Sequence, residues 1–369
     1  MKPSRRQFMG AAALGAAANL AKAEVEPQTV PMEDTEQVGD WTFTGVDAAI
    51  AEEVRAFLPP KLFDIHAHLY RNRDLGDPCP ALTASGPAIV DQSVYRTHLG
   101  ALTGENPLAG GLYFPYPTKT GDVDAGNNYL VEQVTQGDLV RGLVIVTPKS
   151  SPEKMNEYLN HPRILGFKPY HTYAGVPRTF DAALDDYVPE WIWQLADEHG
   201  AVIMLHIVRT GALSDPGNQE AIRRLCGRYT NVKLVLAHAG RGFHAPNTIN
   251  ALPRLMDLEN IYFDSAAVCE PDTLMAIVKT FGPGRLLWGS DFPVSQQRAK
   301  CVTVGDSFSW ICPRRIDVDP SAPACHPTLA GLESLRALKL AAYLMDLKPQ
   351  DLEDIFYKNA MQLLGIRES

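Results

Sequence analysis

Two histidines separated by one residue, His66 and His68 in the stretch KLFDIHAHLY, are the first candidates for chemistry in this chain. Leu62, Phe63 and Ile65 predict a short buried strand before them, and side chains two positions apart on a strand lie on the same face. We therefore expect both imidazoles at or just past the carboxyl end of that strand, pointing the same way. They could hold a metal ion, or they could form a hydrogen-bonded pair beneath a loop.

The elements that must position these histidines form a regular series. Eight apolar runs predict strands, at 61–66, 109–114, 140–147, 163–168, 201–206, 232–238, 260–264 and 285–291. Several runs are continuously apolar, which is typical of parallel strands buried on both faces. Helix-like segments lie between them, with proline near their start or glycine at their end. This alternation predicts an α/β fold, a (β/α)8 TIM barrel. A doubly wound open sheet is the alternative, but no G-x-G-x-x-G follows the first strand.

Ligand-type side chains recur at the ends of these predicted strands. In a barrel of this kind all the carboxyl ends meet at one face, which is the catalytic face. Asp264, at the end of the seventh strand, is expected to be a hydrogen-bond partner of that site. The candidates at the other ends are His66 and His68, Lys168, His206, His238 and Asp291. The sequence therefore predicts one metal site at the carboxyl ends of the strands.

Composition excludes several classes of partner. The chain has 369 residues, of which 45% are hydrophobic, so it can bury a large core. It carries 34 basic and 43 acidic residues, a formal charge of −9, which argues against nucleic acid or anionic lipid. No apolar run reaches the roughly 18 residues of a membrane span. A small-molecule substrate is the expected partner.

The N-terminal residues have the features of an export signal. The stretch SRRQFM, at 4–9, resembles the twin-arginine signature, and an alanine-rich run follows it. The triplet Ala21-Lys22-Ala23 fits an A-x-A cleavage site. We expect a twin-arginine signal peptide over 1–23, recognised by the twin-arginine export machinery, and a periplasmic or secreted mature protein. A basic tail is the alternative interpretation.

The rest of the chain is expected to form one domain. Residues 24–44 are predicted to be a linker and 45–369 a barrel that begins with a helix over 46–57. The segment DLEDIFYKNAMQLLGI predicts an amphipathic helix on the outside of the barrel. The last barrel loop, about 292–328, is expected to be an ordered lid. Because export permits disulfides, we expect a bridge among Cys301, Cys312 and Cys325 in this loop.

The ordered motifs resemble the amidohydrolase superfamily of metal-dependent barrels. The likeness is greatest to its amidohydrolase-2 branch, which includes aminocarboxymuconate-semialdehyde decarboxylase and related decarboxylases and hydrolases. The motifs are FDIHAHLY, LHIV, LAHAG, WGSDFP and the terminal IFYKNAMQLLGI, and they span nearly the whole mature chain. The resemblance implies one divalent metal, with zinc first and manganese or iron as alternatives. The ligands that it implies are His66, His68, His206 and Asp291.

The resemblance also implies roles for neighbouring residues. Asp291 and His238 would be catalytic, with Asp291 moving the proton of a metal-activated water. In two-metal relatives, a lysine at the position of Lys168 is carbamylated and bridges the metals, and His206 and His238 bind the second ion. In the amidohydrolase-2 branch, such a lysine can instead contact the substrate. The number of metals, one or two, therefore depends on Lys168.

Four further residues are candidate substrate contacts. Arg209 lies three residues after His206, and Arg241 lies at the corresponding position after His238. Guanidinium groups suit the capture of a carboxylate. Tyr170 and His171, which follow Lys168, are expected to line the same face.

Three functions agree with these features. The first is an exported hydrolase of a lactone, ester or amide of a small carboxylated substrate. The second is a non-oxidative decarboxylase of a small aromatic or unsaturated acid, using the same site. The third is a binding protein on a barrel scaffold, against which the complete ligand set argues. Barrels of this kind often form homodimers, so a dimer is also expected.

Overall fold

A computed structural model describes residues 41–104, 108–313 and 325–367. The strands are β1 (Leu62–Arg71), β2 (Ile89–Val90), β3 (Leu108–Pro115), β4 (Val140–Val146), β5 (Ile164–Pro169), β6 (Val202–Leu205), β7 (Lys233–Leu236), β8 (Ile261–Asp264), β9 (Leu286–Leu287), β10 (Lys300–Val304) and β11 (Ser307–Ile311). The α-helices are Gly45–Arg55, Ala81–Ala84, Gln92–Thr103, Val123–Val134, Pro152–Leu159, Leu184–Tyr187, Glu190–His199, Pro216–Arg228, Ala245–Ile249, Leu252–Leu255, Pro271–Phe281, Ala330–Leu344, Pro349–Glu353 and Asn359–Leu364. A π-helical turn, Asp354–Lys358, joins the last two.

Eight parallel strands form the main sheet. β1 and β3–β9 lie side by side in chain order, and β2 adds an antiparallel pair at the end of β1. The segment after β9 returns to β1, since the His68 N–H donates to Phe292 O and the Asp291 N–H donates to His66 O, each at 2.8 Å. The sheet therefore curls back on itself. The predicted α/β, TIM-barrel-like fold is confirmed.

The C-terminal helix closes one end of this sheet. Met361 and Leu364 pack in a buried cluster with Phe63, near the start of β1, and Leu112, in the middle of β3. The Asn359 amide donates to the carbonyl of Leu286, where β9 begins, at 2.9 Å. The prediction that this helix covers the outside of the barrel was wrong. Its apolar residues seal the amino-terminal ends of the strands instead.

Several strand boundaries differ from the prediction. β1 continues to Arg71, so His66 and His68 lie within the strand rather than at or past its end. The first helix, predicted over 46–57, is confirmed as Gly45–Arg55. The eighth predicted strand, 285–291, is regular only at Leu286–Leu287. Cross-strand hydrogen bonds beyond that point still hold the chain against β1.

The long loop after β9 contains an ordered element, as expected. β10 and β11 form an antiparallel hairpin in which Cys301 is paired with Trp310. Residues 314–324 of the predicted lid lie outside the described residues. The prediction of a disulfide there was wrong, because Cys301, Cys312 and Cys325 are all free thiols. The pairing register places an aromatic residue, and not a second cysteine, opposite Cys301.

A buried ion pair ties the first helix to the far end of this loop. Thr44 caps the helix, and the Asp47 carboxylate accepts hydrogen bonds from both Thr44 and the Thr328 hydroxyl. Arg298 binds the same carboxylate through two nitrogens, at 3.1 and 2.9 Å. Burial raises the pKa of Asp47, but these hydrogen bonds outweigh burial and hold it well below its usual range.

The N-terminal predictions are mostly outside the described residues. The predicted signal peptide, 1–23, and all but 41–44 of the predicted linker lie there. Trp41, at the end of that linker, packs edge-on against the Phe292 ring, 5.5 Å between centroids. No helix among the described residues is both long and apolar enough to cross a membrane.

Candidate metal centre

A β-bulge aims the two histidines of β1. Asp64 pairs with Gly111 of β3 and Ala67 pairs with Tyr113, so three steps along β1 match two along β3. A bulge of this kind changes which way the following side chains point. Ile65 can therefore join the core cluster while His66 and His68 both contact the Phe114 ring, at 4.9 and 4.7 Å.

The outer nitrogens of both rings converge on one carboxylate oxygen. The His66 Nε2 lies 3.4 Å from Asp291 Oδ1, and the His68 Nε2 lies 3.6 Å from it. The Nδ1 atoms are held on the other side, by Asp264 Oδ2 for His66 and by Pro115 O for His68, each at 2.9 Å. Such bonds leave Nε2 free to coordinate a metal, and they are typical of histidine ligands.

Asp291 reaches this position through an unusual backbone conformation. Its φ is +53°, in the left-handed region, and its N–H is bonded to His66 O. Non-glycine residues enter that region at a cost of about 1 kcal/mol or more and cluster at functional sites. The carboxylate therefore faces both imidazoles of β1 from the segment that lies directly beside β1.

Two more predicted histidines lie beside this group. The His238 Nδ1 is 3.8 Å from Asp291 Oδ2 and 3.0 Å from Ala266 O. The His206 ring lies 5.0 Å from the His238 ring, between centroids. Among the described residues, two groups of side chains have ligand atoms close enough together to hold one metal ion. They are His66, His68 and Asp291, and His66, His238 and Asp264, and His206 belongs to neither. The structure brings three of the four predicted ligands together and leaves His206 one ring away.

The chemistry of this donor set fits a divalent metal ion. Burial lowers the pKa of His66 and of His206 well below the usual range, so both imidazoles are neutral, the form that coordinates metals. The His206 Nδ1 is buried and has no hydrogen-bond partner among the described residues. An unpartnered imidazole nitrogen beside two others and a carboxylate suits zinc or a similar ion.

Lys168 lies deeper than expected for a substrate contact at the barrel mouth. It is fully buried in β5, and its Nζ is 4.7 Å from the centre of the Phe114 ring. Burial lowers the pKa of its amine to about 8, although the Asp264 and Asp291 carboxylates act against that shift. Burial disfavours the charged form of Asp264 as well, and it raises the pKa of that carboxyl to about 7. The Nζ has no hydrogen-bond acceptor within the described ranges.

Asp64 supports the site, although sequence reasoning did not single it out. Its carboxylate accepts hydrogen bonds from the Tyr95 hydroxyl at 2.7 Å, the Ser290 N–H at 2.9 Å and the His66 N–H at 3.0 Å. It therefore binds the residue before Asp291 and one of the β1 histidines. Its place two residues before His66 was the available signal. An aspartate within an apolar run has to find buried partners.

A tight left-handed turn links His238 with Arg241. All four residues from His238 to Arg241 have positive φ, between +55° and +71°. The strand predicted over 232–238 is confirmed as β7, but its C-terminal boundary was wrong, since β7 ends at Leu236. The turn places the Arg241 guanidinium between the rings of Phe180 and Phe308, at 5.2 and 5.3 Å.

The two predicted arginines have different surroundings. Arg241 donates to Arg209 O at 3.3 Å and has no carboxylate at ion-pair distance in the described part of the chain. The Arg209 guanidinium instead pairs with Asp215 at 3.1 Å and donates to Ala182 O at 3.2 Å. The structure therefore leaves Arg241 available to an anionic ligand, whereas Arg209 is already engaged. The Arg209 partner lies only six residues later in the chain.

Aromatic side chains surround Arg241 and the histidines. The Tyr170 ring is 4.7 Å from His206, and the His171 ring is 4.4 Å from Phe180. On the other side, Phe243 lies 5.3 Å from the His238 ring and 5.0 Å from Phe308 of the hairpin. Tyr170 and His171 therefore lie beside the site as predicted. The long loop was expected to form a lid, but the contact of Phe308 in its hairpin with the site was not predicted.

Comparisons with known proteins identify the family and the fold of this chain. Residues 63–366 match a family described as amidohydrolase. An amidohydrolase from Burkholderia multivorans with bound HEPES is 15% identical, with a TM-score of 0.55, covering 83% of this chain and 100% of that one. The same Burkholderia protein in another crystal form contains zinc, at 14% identity and a TM-score of 0.52, covering 83% and 100%. A search of curated proteins found no match.

Two further solved structures have names that describe different reactions. A probable 2-pyrone-4,6-dicarboxylic acid hydrolase from Acinetobacter baumannii is 13% identical, with a TM-score of 0.53, covering 83% of this chain and 99% of that one. A dihydroxybenzoic acid decarboxylase from Polaromonas sp. JS666, with bound manganese and 2-nitroresorcinol, is 15% identical, with a TM-score of 0.53, covering 84% and 98%. At these identities the likeness shows the fold alone.

Proposed function

The chain belongs to the amidohydrolase family, and on that premise we propose that it is a metal-dependent hydrolase of a lactone, ester or amide of a small carboxylated substrate. One observation carries the proposal: Asp291 has one oxygen 3.4 and 3.6 Å from two imidazole Nε2 atoms, and its other oxygen 3.8 Å from the His238 Nδ1. A carboxylate in that position can accept a proton beside the metal ligands and pass it on.

The proposed ligands are His66, His68, His206 and Asp291, around one ion. Zinc is the first choice and manganese or iron the alternatives, which agrees with the zinc and manganese in two of the similar structures. The ion would supply Lewis acidity, which lowers the pKa of water toward about 7 and polarises a carbonyl. His206 would complete the set, since its Nδ1 is buried and has no hydrogen-bond partner among the described residues.

The residues of the chain would then carry the proton transfers. Asp291 takes the proton of the attacking water and returns it to the leaving group. The His238 Nδ1 donates to Ala266 O, and burial lowers the pKa of the ring to about 4, so its Nε2 is unprotonated at neutral pH. The neutral ring of His238 therefore presents Nε2 as a hydrogen-bond acceptor. It is not set up to donate a hydrogen bond to an oxyanion from Nε2.

Substrate binding is assigned to the opposite side of the same site. Arg241 is the candidate for the substrate carboxylate because no protein carboxylate pairs with it within the described residues. Lys168 adds positive charge beneath the site, next to Asp264 and Asp291. Tyr170 and His171 line the wall between them.

A decarboxylase of a small aromatic or unsaturated acid is the second candidate. The specific observation in its favour is Lys168, whose buried amine would attract the carboxylate that such an enzyme removes. The manganese-containing decarboxylase among the similar structures shows that this fold can perform the reaction. The residues that would bind the metal are the same in both proposals.

The products separate the two reactions. The metal-loaded protein is incubated in 18O-labelled water with carboxylated lactones, such as 2-pyrone-4,6-dicarboxylate, and with dihydroxybenzoates. A hydrolase incorporates 18O into a new carboxylate and releases no carbon dioxide, whereas a decarboxylase releases carbon dioxide without 18O in its organic product. Asp291→Asn should abolish either activity. Asp257→Asn, which changes an exposed ion pair with Arg223, is the control that keeps activity.

Export and assembly are parts of the proposal that need their own tests. We propose that residues 1–23 direct twin-arginine export to the periplasm or the medium. Sequencing the N-terminus of the exported protein should give Glu24, and Arg5→Lys together with Arg6→Lys should retain the precursor inside the cell. Light scattering of the mature protein tests the proposed homodimer.

A further inference from the structure

A cleft opens at the end of the barrel opposite the candidate metal centre. Its volume is about 270 Å³, and it lies where β5, β6 and β7 begin, at Ile164, Val202 and Lys233. Leu364 of the C-terminal helix closes one side. The candidate metal centre lies at the carboxyl ends of the same strands, so the cleft is not part of it.

The charges that line this cleft have one sign. Three of its lining residues are basic or become cationic on protonation, namely His161, His199 and Lys233, and none of the lining residues, all of which the structure describes, is acidic. The chain as a whole has more acidic than basic residues. A concave surface lined by one sign of charge concentrates counter-ions.

Lys233 is the main source of positive charge. Its side chain is partly buried, and burial lowers the pKa of its ammonium group. No carboxylate among the described residues lies within ion-pair distance to offset that cost. A partly desolvated ammonium without a counter-ion gains more from a bound anion than a fully hydrated one does.

The histidines add a directed donor. The His161 Nδ1 accepts a hydrogen bond from the Arg163 N–H at 3.3 Å, so the neutral ring carries its proton on Nε2. No acceptor for that Nε2–H is found within the described ranges. The His199 ring is oriented by its Nε2, which donates to Asn156 Oδ1 at 2.8 Å. The cleft thus offers an ammonium group and at least one N–H donor.

We propose that this cleft binds a small oxyanion, a ligand with a phosphate or carboxylate group, through Lys233 and His161. Pockets for drug-sized ligands have volumes of about 300–1,000 Å³, so this cleft suits a phosphate or a short dicarboxylate. The proposal is independent of the reaction at the other end of the barrel. It assigns a second ligand site at the amino-terminal ends of the strands.

Calorimetric titration of the metal-loaded protein tests this. Inorganic phosphate and succinate are titrated separately, against sodium chloride at matched ionic strength. We expect saturable binding of one or both anions. In Lys233→Met the Kd should be at least about tenfold higher, because the variant loses one hydrogen bond from a charged donor. His161→Ala should weaken binding less. Lys279→Met removes an exposed lysine elsewhere and should bind as the wild type does.

Two further variants locate the bound anion. Leu165→Glu places a carboxylate in the wall of the cleft and should abolish binding through repulsion. His68→Ala disables the candidate metal centre, where phosphate could also bind, and should leave the Lys233-dependent binding intact. Circular dichroism confirms that each variant is folded. Phosphate binding alone, or succinate binding alone, would identify which group the cleft accepts. Absence of saturable binding, or equal binding by wild type and Lys233→Met, overturns the proposal.

Discussion

The His66 imidazole is hydrogen-bonded through Nδ1 to Asp264 Oδ2 at 2.9 Å, and the two side chains are 1% and 0% exposed. The other oxygen of Asp264 accepts the His238 N–H at 2.7 Å. One carboxylate thus orients a proposed metal ligand and the backbone of a proposed catalytic residue. Sequence reasoning anticipated Asp264 as a supporting partner, and the structure identifies what it supports.

Asp264→Asn should weaken metal binding while preserving the fold. The amide nitrogen that replaces Oδ2 cannot accept the hydrogen bond from His66 Nδ1. The His66 imidazole therefore loses its preferred orientation and tautomer. Losses of this kind raise the Kd for metal about 10- to 100-fold. Competition for zinc against a chromophoric chelator measures the change, with Asp257→Asn as a control. An unchanged Kd in Asp264→Asn would remove Asp264 from the site.

Lys168→Met should leave the metal content at about one ion per chain. Nζ of Lys168 lies against the Phe114 ring, 4.7 Å from its centre. Methionine keeps the apolar stem and removes the charge. Mass spectrometry of the exported protein gives the metal per chain for wild type, Lys168→Met and the exposed-lysine control Lys279→Met. About two metals in the wild type, falling in Lys168→Met alone, would show a carbamylated bridge.

Arg241→Met and Arg209→Met should differ in their effect on catalysis. Arg241 has no carboxylate partner in the described chain, whereas Arg209 pairs with Asp215. If Arg241 binds the substrate carboxylate, its loss should raise KM about 10- to 100-fold, with a smaller effect on kcat. Arg209→Met should mainly lower stability. Steady-state kinetics, with the substrate identified by the product test, measure both effects. Equal KM values in the two variants would refute the role of Arg241 in binding the substrate carboxylate.

Asp47→Asn should destabilise the protein by about 3 kcal/mol at pH 7, because it breaks the buried ion pair with Arg298. The folded-state pKa of Asp47 is lowered, so its contribution is full above the unfolded pKa of about 3.9 and is lost as pH falls below it. Urea unfolding gives the free energy of unfolding of both proteins at pH 7 and at pH 3. The difference between wild type and variant should be smaller at pH 3. Asp181→Asn, in an exposed pair with Arg178, should cost less than about 1 kcal/mol.

The sequence was sufficient to predict that three ligand-type side chains would lie close together. His66, His68 and Asp291 meet because the HxH motif of β1 and the SDF motif after β9 lie side by side in a closed sheet, and the order of the elements along the chain indicates this. The bulge between Asp64 and Ala67 could not be predicted, since it depends on pairing with β3. Strict alternation would have put Ile65 and the histidines on opposite faces.

Other features depended on contacts between distant segments. The Phe308 ring reaches Arg241 across more than sixty residues, and only the hairpin register brings it there. The expected disulfide failed for the same reason, because proximity in sequence did not fix which side chain stands opposite Cys301. The C-terminal helix was predicted as amphipathic, but that pattern does not say which surface it covers.

The left-handed turn from His238 to Arg241 also constrains laboratory evolution of this enzyme. A single backbone conformation sets the position of a proposed proton carrier and of a proposed specificity residue. Random replacement of Ala239 or Gly240 would therefore alter turnover and selectivity together, and bulky or β-branched residues would be poorly tolerated there. Libraries aimed at new substrates should leave this turn intact and vary Phe180 and Phe308, whose side chains change the binding surface without moving His238.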